Sequence, residues 1–429
     1  MEQLIKKGAY LLDKLAGLGA DSAQVSVSSG LTEEFNAESG EFTLIRSVYN
    51  SGASMKVIKD NRKGSTSVND LSEETLDAAA NDCIQLALSG VPDPDFTVAA
   101  FTENRDFVSG TLHCDKAAFF DSLIAFTEKA ARDYPDIMIE QLSGAYSYGK
   151  QVIMNSNGVQ YTEEDGNYSV SVMFSAHRGD ETGSFNCVDF DYLDPKTDIM
   201  EFADMRESFE RALEELTAVK SDEKFCGTAI FMPRCTADFA DVIFSFTGTV
   251  PLIEKTSPWY GKLGEKVASD CFTLNVIPKD DRIVGGENVT ADGYIAENYT
   301  MIENGVLKSY SIGEYGERKT GFPRAKSTSG AIEILPGEKT LAEIIASIDR
   351  GILVGRFSGG EPGANGDFSG VAKNSFLIKD GKIVCAVKET MISGNFDEML
   401  KNVTAISKET LSDSSSVIPY IAFDGVTIA

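Results

Sequence analysis

The sequence predicts an α+β protein, and two observations support that class. Stretches with apolar residues at helical spacing lie beside stretches in which apolar and polar residues alternate, as in half-buried strands. The longer helical stretches lie in the first half of the 429-residue chain, and turn dipeptides between apolar runs recur in the second half. We therefore expect an N-terminal α/β portion with long antiparallel strands and helices, followed by a C-terminal β-rich domain with a few helices.

The first half alternates predicted strands with predicted helices. Apolar spacing and N-cap signals predict helices over 1–20, 71–88, 116–132 and 198–219. Alternation predicts strands over 23–28, 41–45 and 52–58. Asn157-Gly158 predicts a hairpin turn, because this dipeptide accepts the positive φ angles that such turns need. Strands followed by a helix occur twice, over 23–88 and 137–219, a pattern compatible with an internal duplication.

A polar stretch at 220–224 predicts the main domain boundary. It separates an N-terminal region 1–220, with a suggested subdivision into 1–95 and 110–220, from a C-terminal domain 221–429. In that domain Asn304-Gly305 and Asp380-Gly381 predict hairpins. Capping signals at Thr340 and Asn395 predict two short helices.

Charge and composition exclude several classes of protein. The chain has 39 Lys and Arg against 66 Asp and Glu, a net charge of −27, and no basic stripe that would hold a nucleic acid. No apolar run approaches the ~18 residues of a membrane span, and charged residues interrupt the first helix, unlike a signal peptide. The seven cysteines show no CxxC spacing. We therefore expect a cytoplasmic protein with reduced core thiols and no nucleic-acid or membrane partner.

Catalytic motifs are absent from the sequence. The only histidines, His113 and His177, are 64 positions apart, and no HExxH or HExxxH motif occurs. There is no GxSxG elbow for a nucleophile and no Gly-Lys-Ser/Thr phosphate loop. We expect neither catalytic residues nor metal ligands.

A glycine-rich segment is the most unusual local composition. Residues 358–370 contain five glycines in thirteen positions. The segment is either a flexible surface loop or a backbone that closely approaches a peptide or partner, which glycine permits. Together with the predicted strand end at 390–395 it supplies the candidates for a substrate groove: Gly366, Asp367, Phe368, Ser369, Gly394 and Asn395. Trp259 and Tyr260 either anchor a partner or pack beneath a core, and the second outcome is commoner.

The order of several short motifs resembles that of the TldD/PmbA family, also called proposed modulators of DNA gyrase and classed with metallopeptidases. The resemblance extends over nearly the whole chain. It is carried by the order and spacing of segments 19–21, 52–57, 64–67, 70–74, 302–307, 366–370 and 390–400. Family members resemble one another in having an N-terminal α/β portion and a C-terminal β-rich domain. They often act as a TldD–TldE (PmbA) complex that degrades unfolded peptides and trims leader peptides.

The resemblance implies a zinc site only in TldD-type chains, which bind the metal through an HExxxH helix and a Cys near the C-terminus. Here the helix expected at 236–246 has no histidine, and 409–416 has no cysteine. The segment 395–400 is nearer the PmbA/TldE pattern. The resemblance therefore implies a metal-free, PmbA/TldE-like subunit without a zinc cofactor. It would pair with a TldD-type zinc peptidase subunit, or with itself, and act on unfolded or leader peptides.

Two other functions stay open at this point. An active peptidase would use Asp238 and Asp241 as ligands or acid–base groups, although two acids at i, i+3 usually form the wet face of a helix. A regulator of a gyrase or toxin–antitoxin system would act through protein contacts, since the acidic charge disfavours DNA.

Overall fold

A computed structural model describes residues 1–221 and 224–429, and these residues form two sheets with helices, which confirms the α+β class. The first sheet has the strand order β3-β2-β1-β5-β6-β4, and β7 and β8 also pair with β6. Its strands are β1 (Ser22–Glu38), β2 (Glu41–Lys59), β3 (Arg62–Val68), β4 (Arg105–Gly110), β5 (Ile137–Asn155), β6 (Gln160–Arg178), β7 (Glu181–Thr182) and β8 (Asn186–Tyr192).

One face of the first sheet is apolar and lies under helices. Ala23, Val25 and Val27 are buried and alternate with half-buried polar positions along β1. Two clusters cover this face side by side. The helices that cover it are α1 (Glu2–Gly17), α2 (Glu73–Ser89), α3 (Lys116–Asp133) and α4 (Met205–Glu215). A short 3-10 turn, Ile199–Glu201, precedes α4.

The second sheet follows the path β13-β12-β11-β14-β22-β10-β15-β18-β19-β9, with four further strands attached to it. Its strands are β9 (Val219–Lys220), β10 (Phe225–Phe231), β11 (Leu274–Val276), β12 (Tyr299–Glu303), β13 (Val306–Leu307), β14 (Ile332–Ile334), β15 (Arg350–Val354), β16 (Arg356–Ser358), β17 (Asp367–Lys373), β18 (Ser375–Lys379), β19 (Lys382–Lys388), β20 (Thr390–Asn395), β21 (Val403–Ser412) and β22 (Ser416–Ile428).

Short helices accompany the second sheet. They are α5 (Pro233–Thr247), α6 (Thr249–Ile253), α7 (Glu314–Thr320), α8 (Leu341–Ala346) and α9 (Phe396–Lys401). The predicted capping box is confirmed at α8, where Thr340 and Glu343 cap each other's backbone. Asn395 caps α9 by accepting a hydrogen bond from the Glu398 amide. The hairpins predicted at Asn304-Gly305 and Asp380-Gly381 are also confirmed.

Two predicted elements in the first half are wrong in extent. The stretches 41–45 and 52–58 belong to one strand, β2, because pairing with β1 continues through Asn50 and Gly52. The single helix predicted over 198–219 is divided. Asp198 caps the 3-10 turn, and Ala203 takes the left-handed φ of 50°, which interrupts the helical path before α4.

The prediction that the cysteines are core thiols is wrong for three of them. Cys83 and Cys235 are buried, but Cys187, Cys226 and Cys271 are exposed. Cys187 on β8 and Cys226 on β10 occupy outward positions of their strands, and Cys271 lies in a turn. No disulfide links the described cysteines.

The two-domain division stays a prediction, and positions 222 and 223 of its predicted boundary lie outside the described residues. The first sheet spans both parts of the suggested subdivision, since β1 pairs with β5 over Gln24 to Glu38. The described chain contains no helix long and apolar enough to cross a membrane.

Trp259, the only tryptophan, lies in the core of the second sheet. It is fully buried, and its indole N–H donates to Asp397 Oδ1 at 2.6 Å. Asp397 also accepts from Lys401 Nζ at 2.8 Å. Of the two alternatives for this segment, Trp259 takes the packed one, while Tyr260 stays 37% exposed.

We expect Asp397→Ala to lower the free energy of unfolding by about 2 kcal/mol, because a buried indole N–H loses its acceptor. Urea unfolding followed by far-UV circular dichroism measures the change. Glu398→Ala is the control, since Glu398 is exposed and should change stability by less than about 0.5 kcal/mol. Equal losses in the two variants would show that the indole bond contributes nothing specific.

Candidate functional site

The β10–α5 unit positions the candidate site. β10 ends at Phe231, and Met232 is the N-cap of α5. Pro233 suits the first helical turn, because an N–H at that position would have no partner within the helix. The stripe predicted for this helix is confirmed. All four of its members are buried against the second sheet: Phe239, Val242, Ile243 and Phe246.

The face of α5 beside the apolar stripe is acidic. Asp238, Asp241 and Ser245 line a cavity of about 360 Å³ together with Glu361 of the glycine-rich segment. Asp238 is exposed, but partial desolvation raises the pKa of its carboxyl to about 6, with the charges of Asp241 and Glu361 acting in the same direction. Desolvation also raises the pKa of Asp241. The helix therefore presents a carboxyl that titrates near neutrality.

A second cavity, of about 210 Å³, lies at the start of α5 and is lined from both halves of the chain. Arg234 of α5 donates to both carboxylate oxygens of Asp204, the residue just before α4, at 2.6–3.1 Å. Desolvation would lower the pKa of Arg234, but the hydrogen bond and charge of Asp204 raise it. Arg356 lies over the Phe185 ring at 5.0 Å, and its buried Nε has no hydrogen-bond partner among the described residues. The bidentate ion pair between Arg234 and Asp204 thus connects the two halves of the chain beside this cavity.

The donors around α5 do not fit a zinc ion. Zinc sites in proteins are built from imidazole, thiolate and carboxylate ligands that converge on one point. Burial raises the pKa of the Cys235 thiol, which disfavours the thiolate. His177 is on β6, where Ser175 and Thr182 contact its ring nitrogens, and His113 is in the loop before α3. No three His, Cys, Asp or Glu side chains within 1–221 and 224–429 are grouped to hold a metal.

The six residues predicted to form a groove lie together at one end of the β17–β20 pair. The register sets Asp367 opposite Asn395 and Phe368 opposite Gly394, with Gly366 directly before β17. Asn395 Nδ2 donates to Asp367 Oδ1 at 2.8 Å, so these polar groups bind each other. Phe368 is buried, whereas Ser369 is exposed. These residues are therefore neighbours, but they do not line the two cavities around α5, and their role in a substrate groove stays a prediction.

The glycines of 358–370 allow two stretches of backbone to approach each other closely, and both stretches belong to this same segment. Gly360 has a φ of 61°, and a Cβ there would lie 1.6 Å from the carbonyl oxygen of Ser369. A Cβ at Gly370 would lie 2.0 Å from the oxygen of Gly359. The β16–β17 turn therefore requires glycine for its own packing. A role for this segment in binding a peptide stays a prediction.

Sequence reasoning missed a cleft of about 790 Å³ near the junction of the two halves. Phe107 of β4 forms one wall, and Lys279, Tyr294 and Arg324 come from loops of the second half. These segments are more than 170 positions apart in the sequence, and no local motif marks them.

Comparison with known proteins identifies the class to which this fold belongs. Residues 226–429 match the PmbA/TldA metallopeptidase C-terminal domain, and residues 23–87 match the PmbA/TldA metallopeptidase domain 1. The chain belongs to the PmbA/TldD metallopeptidase family, as its motifs predicted.

Relatives and solved structures agree with this assignment. A Haemophilus influenzae metalloprotease PmbA homolog is 25% identical over 451 aligned positions, covering 100% of this chain and 96% of its own. Metalloprotease PmbA of Escherichia coli O157:H7 is 24% identical, covering 92% of this chain and 89% of its own. TldE from Thermococcus kodakarensis superposes with a TM-score of 0.84 at 22% identity, covering 99% and 100% of the two chains. A proposed modulator of DNA gyrase from Bacteroides thetaiotaomicron superposes at 0.86 and 23%, covering 100% and 99%. These two structures share the fold.

We expect Gly360→Ala to destabilise the protein by at least about 2 kcal/mol, because Cβ would meet the Ser369 carbonyl at a left-handed φ. Thermal and urea unfolding measure the loss. Gly363→Ala is a matched control in the same segment, since its nearest neighbour to a Cβ is 3.4 Å away. If both variants unfold like the parent chain, the turn is not constrained as described.

We expect the stabilising effect of Asp238→Asn to grow as the pH rises from 5 to 7.5. The raised pKa, about 6, means that the folded chain loses stability as this carboxyl ionises across that range, and asparagine cannot ionise. Melting temperatures of both chains at both pH values test this. Asp241→Asn should lower the pH at which the Asp238 carboxyl ionises, because one repelling charge is removed. A difference in melting temperature that does not vary with pH would contradict the expectation.

Proposed function

We propose that this chain is a PmbA/TldE-like, non-catalytic subunit that binds an unfolded or leader peptide for a TldD-type zinc peptidase. The single observation that carries the proposal is the composition of α5. This helix follows the strand after which the family resemblance places the zinc helix, yet it contains no histidine.

The described residues around α5 favour a non-catalytic role over zinc catalysis. Zinc lowers the pKa of bound water to about 7 only when suitable ligands hold it and leave one position open. Arg234 is paired to Asp204, and Cys235 is buried as a thiol. The helix therefore contributes packing and a polar wall.

The name of the T. kodakarensis neighbour, TldE, supports a place in a two-subunit system. A TldD-type partner and a second copy of this chain are both compatible with the proposal. Closed assemblies of this kind bury substantial apolar area, so the complex should be stable in dilute solution.

A carboxylate-based peptidase is the second candidate, and the raised pKa of Asp238 favours it. Two acids whose pKa values differ can divide the roles of general acid and general base. Asp238 and Asp241 lie one helical turn apart on the wall of the same cavity. This candidate requires hydrolysis that depends on Asp238 and proceeds without a metal.

Reconstitution tests the proposal. The purified chain, the TldD-type chain from the same genome, and their mixture are each incubated with an unfolded peptide or casein, with zinc measured by mass spectrometry. We expect this chain alone to hold far less than one zinc per molecule and to leave the substrate intact. The mixture should cleave it faster than the TldD-type chain alone. Changing the glutamate of the partner's HExxxH to glutamine should abolish all cleavage.

Three results would overturn the proposal. Chelator-sensitive cleavage by this chain alone would establish a zinc site in it. Chelator-resistant cleavage that Asp238→Asn abolishes would establish the carboxylate mechanism instead. A mixture no more active than the TldD-type chain alone would remove the partnership.

A further inference from the structure

The side chains that line the cleft of about 790 Å³ beside β4 include more cations than acids. Three cationic side chains line it, namely Arg105, Lys279 and Arg324. Its acidic members are Glu103 and Glu297, and Lys326 Nζ pairs with Glu297 at 2.7 Å. A surplus of cations in one cleft is unexpected in a chain with a net charge of −27. The volume is in the range of ligand-binding sites.

Arg324 is preorganised on an aromatic platform. Its guanidinium carbon lies 3.8 Å from the centre of the Tyr294 ring. Tyr294 is held in turn, because its hydroxyl donates to Glu314 at 2.8 Å and accepts from the Ala100 amide. Among the described residues Arg324 forms no ion pair, and its one hydrogen bond goes to the Ala325 carbonyl at 3.3 Å. Most of its donors are therefore free to bind a carboxylate in a bidentate manner.

The opposite wall combines an aromatic ring with two further cations. Arg105 and Lys279 lie over the Phe107 ring at 5.3 and 5.0 Å. Arg105 has only a distant carboxylate, that of Glu103 at 3.8 Å, and Lys279 Nζ donates to the Asn288 side chain. Burial lowers the pKa of Lys279 although Glu163 acts against this, and an added carboxylate would raise that pKa again. Phe107 and Ile295 leave an apolar surface between the cations.

We propose that this cleft binds a carboxylate of an extended peptide beside one of its apolar side chains. Arg324 receives the carboxylate, Lys279 adds a second positive charge, and Phe107 contacts the neighbouring apolar group. The inference rests on the proposed function in that the ligand is a peptide, and it adds a preference for acidic–apolar sequences. The carboxylate belongs either to a glutamate side chain or to the peptide C-terminus.

Fluorescence anisotropy with short labelled peptides tests the inference on the full chain at physiological salt, where the protein's overall repulsion is screened beyond about 8 Å. One peptide carries glutamates beside leucines and an amidated C-terminus. A second replaces each glutamate by glutamine, and a third has the glutamines with a free C-terminal carboxylate. We expect the glutamate or the free-carboxylate peptide to bind at least about fivefold more tightly than the amidated glutamine peptide. Whichever of the two binds shows the source of the carboxylate.

Arg324→Gln should remove that preference, and Lys279→Gln should reduce it. Arg178→Gln is the matched control, because it deletes the same charge at the far end of β6 and should leave binding unchanged. Circular dichroism establishes whether each variant is folded. If Arg324→Gln does not fold, the test is made with Lys279→Gln. Equal binding of all peptides, binding of none, or equal losses in Arg324→Gln and Arg178→Gln would overturn the inference. If the partner is still activated in that case, the proposed function stands and only the carboxylate preference fails.

Discussion

The aromatic contacts of Phe239 fix the part of the molecule on which the candidate site depends. Its ring lies 4.8 to 5.5 Å from four others, supplied by β10, β16, β17 and α9. Edge-on and tilted pairs of this kind add about 0.5–1.5 kcal/mol each beyond the area they bury. Because the four partners come from separate segments, they allow α5 only one rotation about its axis. That rotation turns Asp238 and Asp241 towards the cavity.

The same contact links the acidic cavity to the predicted groove. Phe368 belongs to the six residues at the end of the β17–β20 pair, and Phe357 precedes the glycine-rich turn. A movement of this turn would therefore change the packing of α5, and a movement of α5 would change the packing of the turn. Arg234 and Asp204 then connect the start of α5 to the first sheet. One helix thus contacts the structural elements of both halves.

Local signals in the sequence predicted the elements that local interactions decide. The cap at Ser72, the capping box at Thr340 and the turn at Asn304-Gly305 are each satisfied within a few residues, and each appears where the sequence places it. The division of the helix predicted over 198–219 was missed because an alanine, which normally favours helix, takes the left-handed conformation at Ala203 under its tertiary surroundings. The extent of β2 was missed because strand pairing overrides weak strand propensity at Asn50 and Gly52.

The sites divide in the same way. The groove cluster was predictable because its residues form two short segments, and the register of β17 and β20 brings them together. The cationic cleft was not predictable, since Arg105, Lys279 and Arg324 become neighbours only when distant loops pack on β4. The two histidines of the sequence led to the expectation of no zinc site, and that expectation stays a prediction.

The burial of the lone indole also determines how unfolding of this protein can be observed. Trp259 lies between α5 and α9, so its emission reports the second sheet and is silent about the first. Tyr146, Tyr161 and Tyr168 are packed in the first sheet, while Tyr310 is buried in the second. Tryptophan and tyrosine signals that change together would show that the two sheets unfold as one cooperative unit, whereas separate midpoints would reveal a half-folded species.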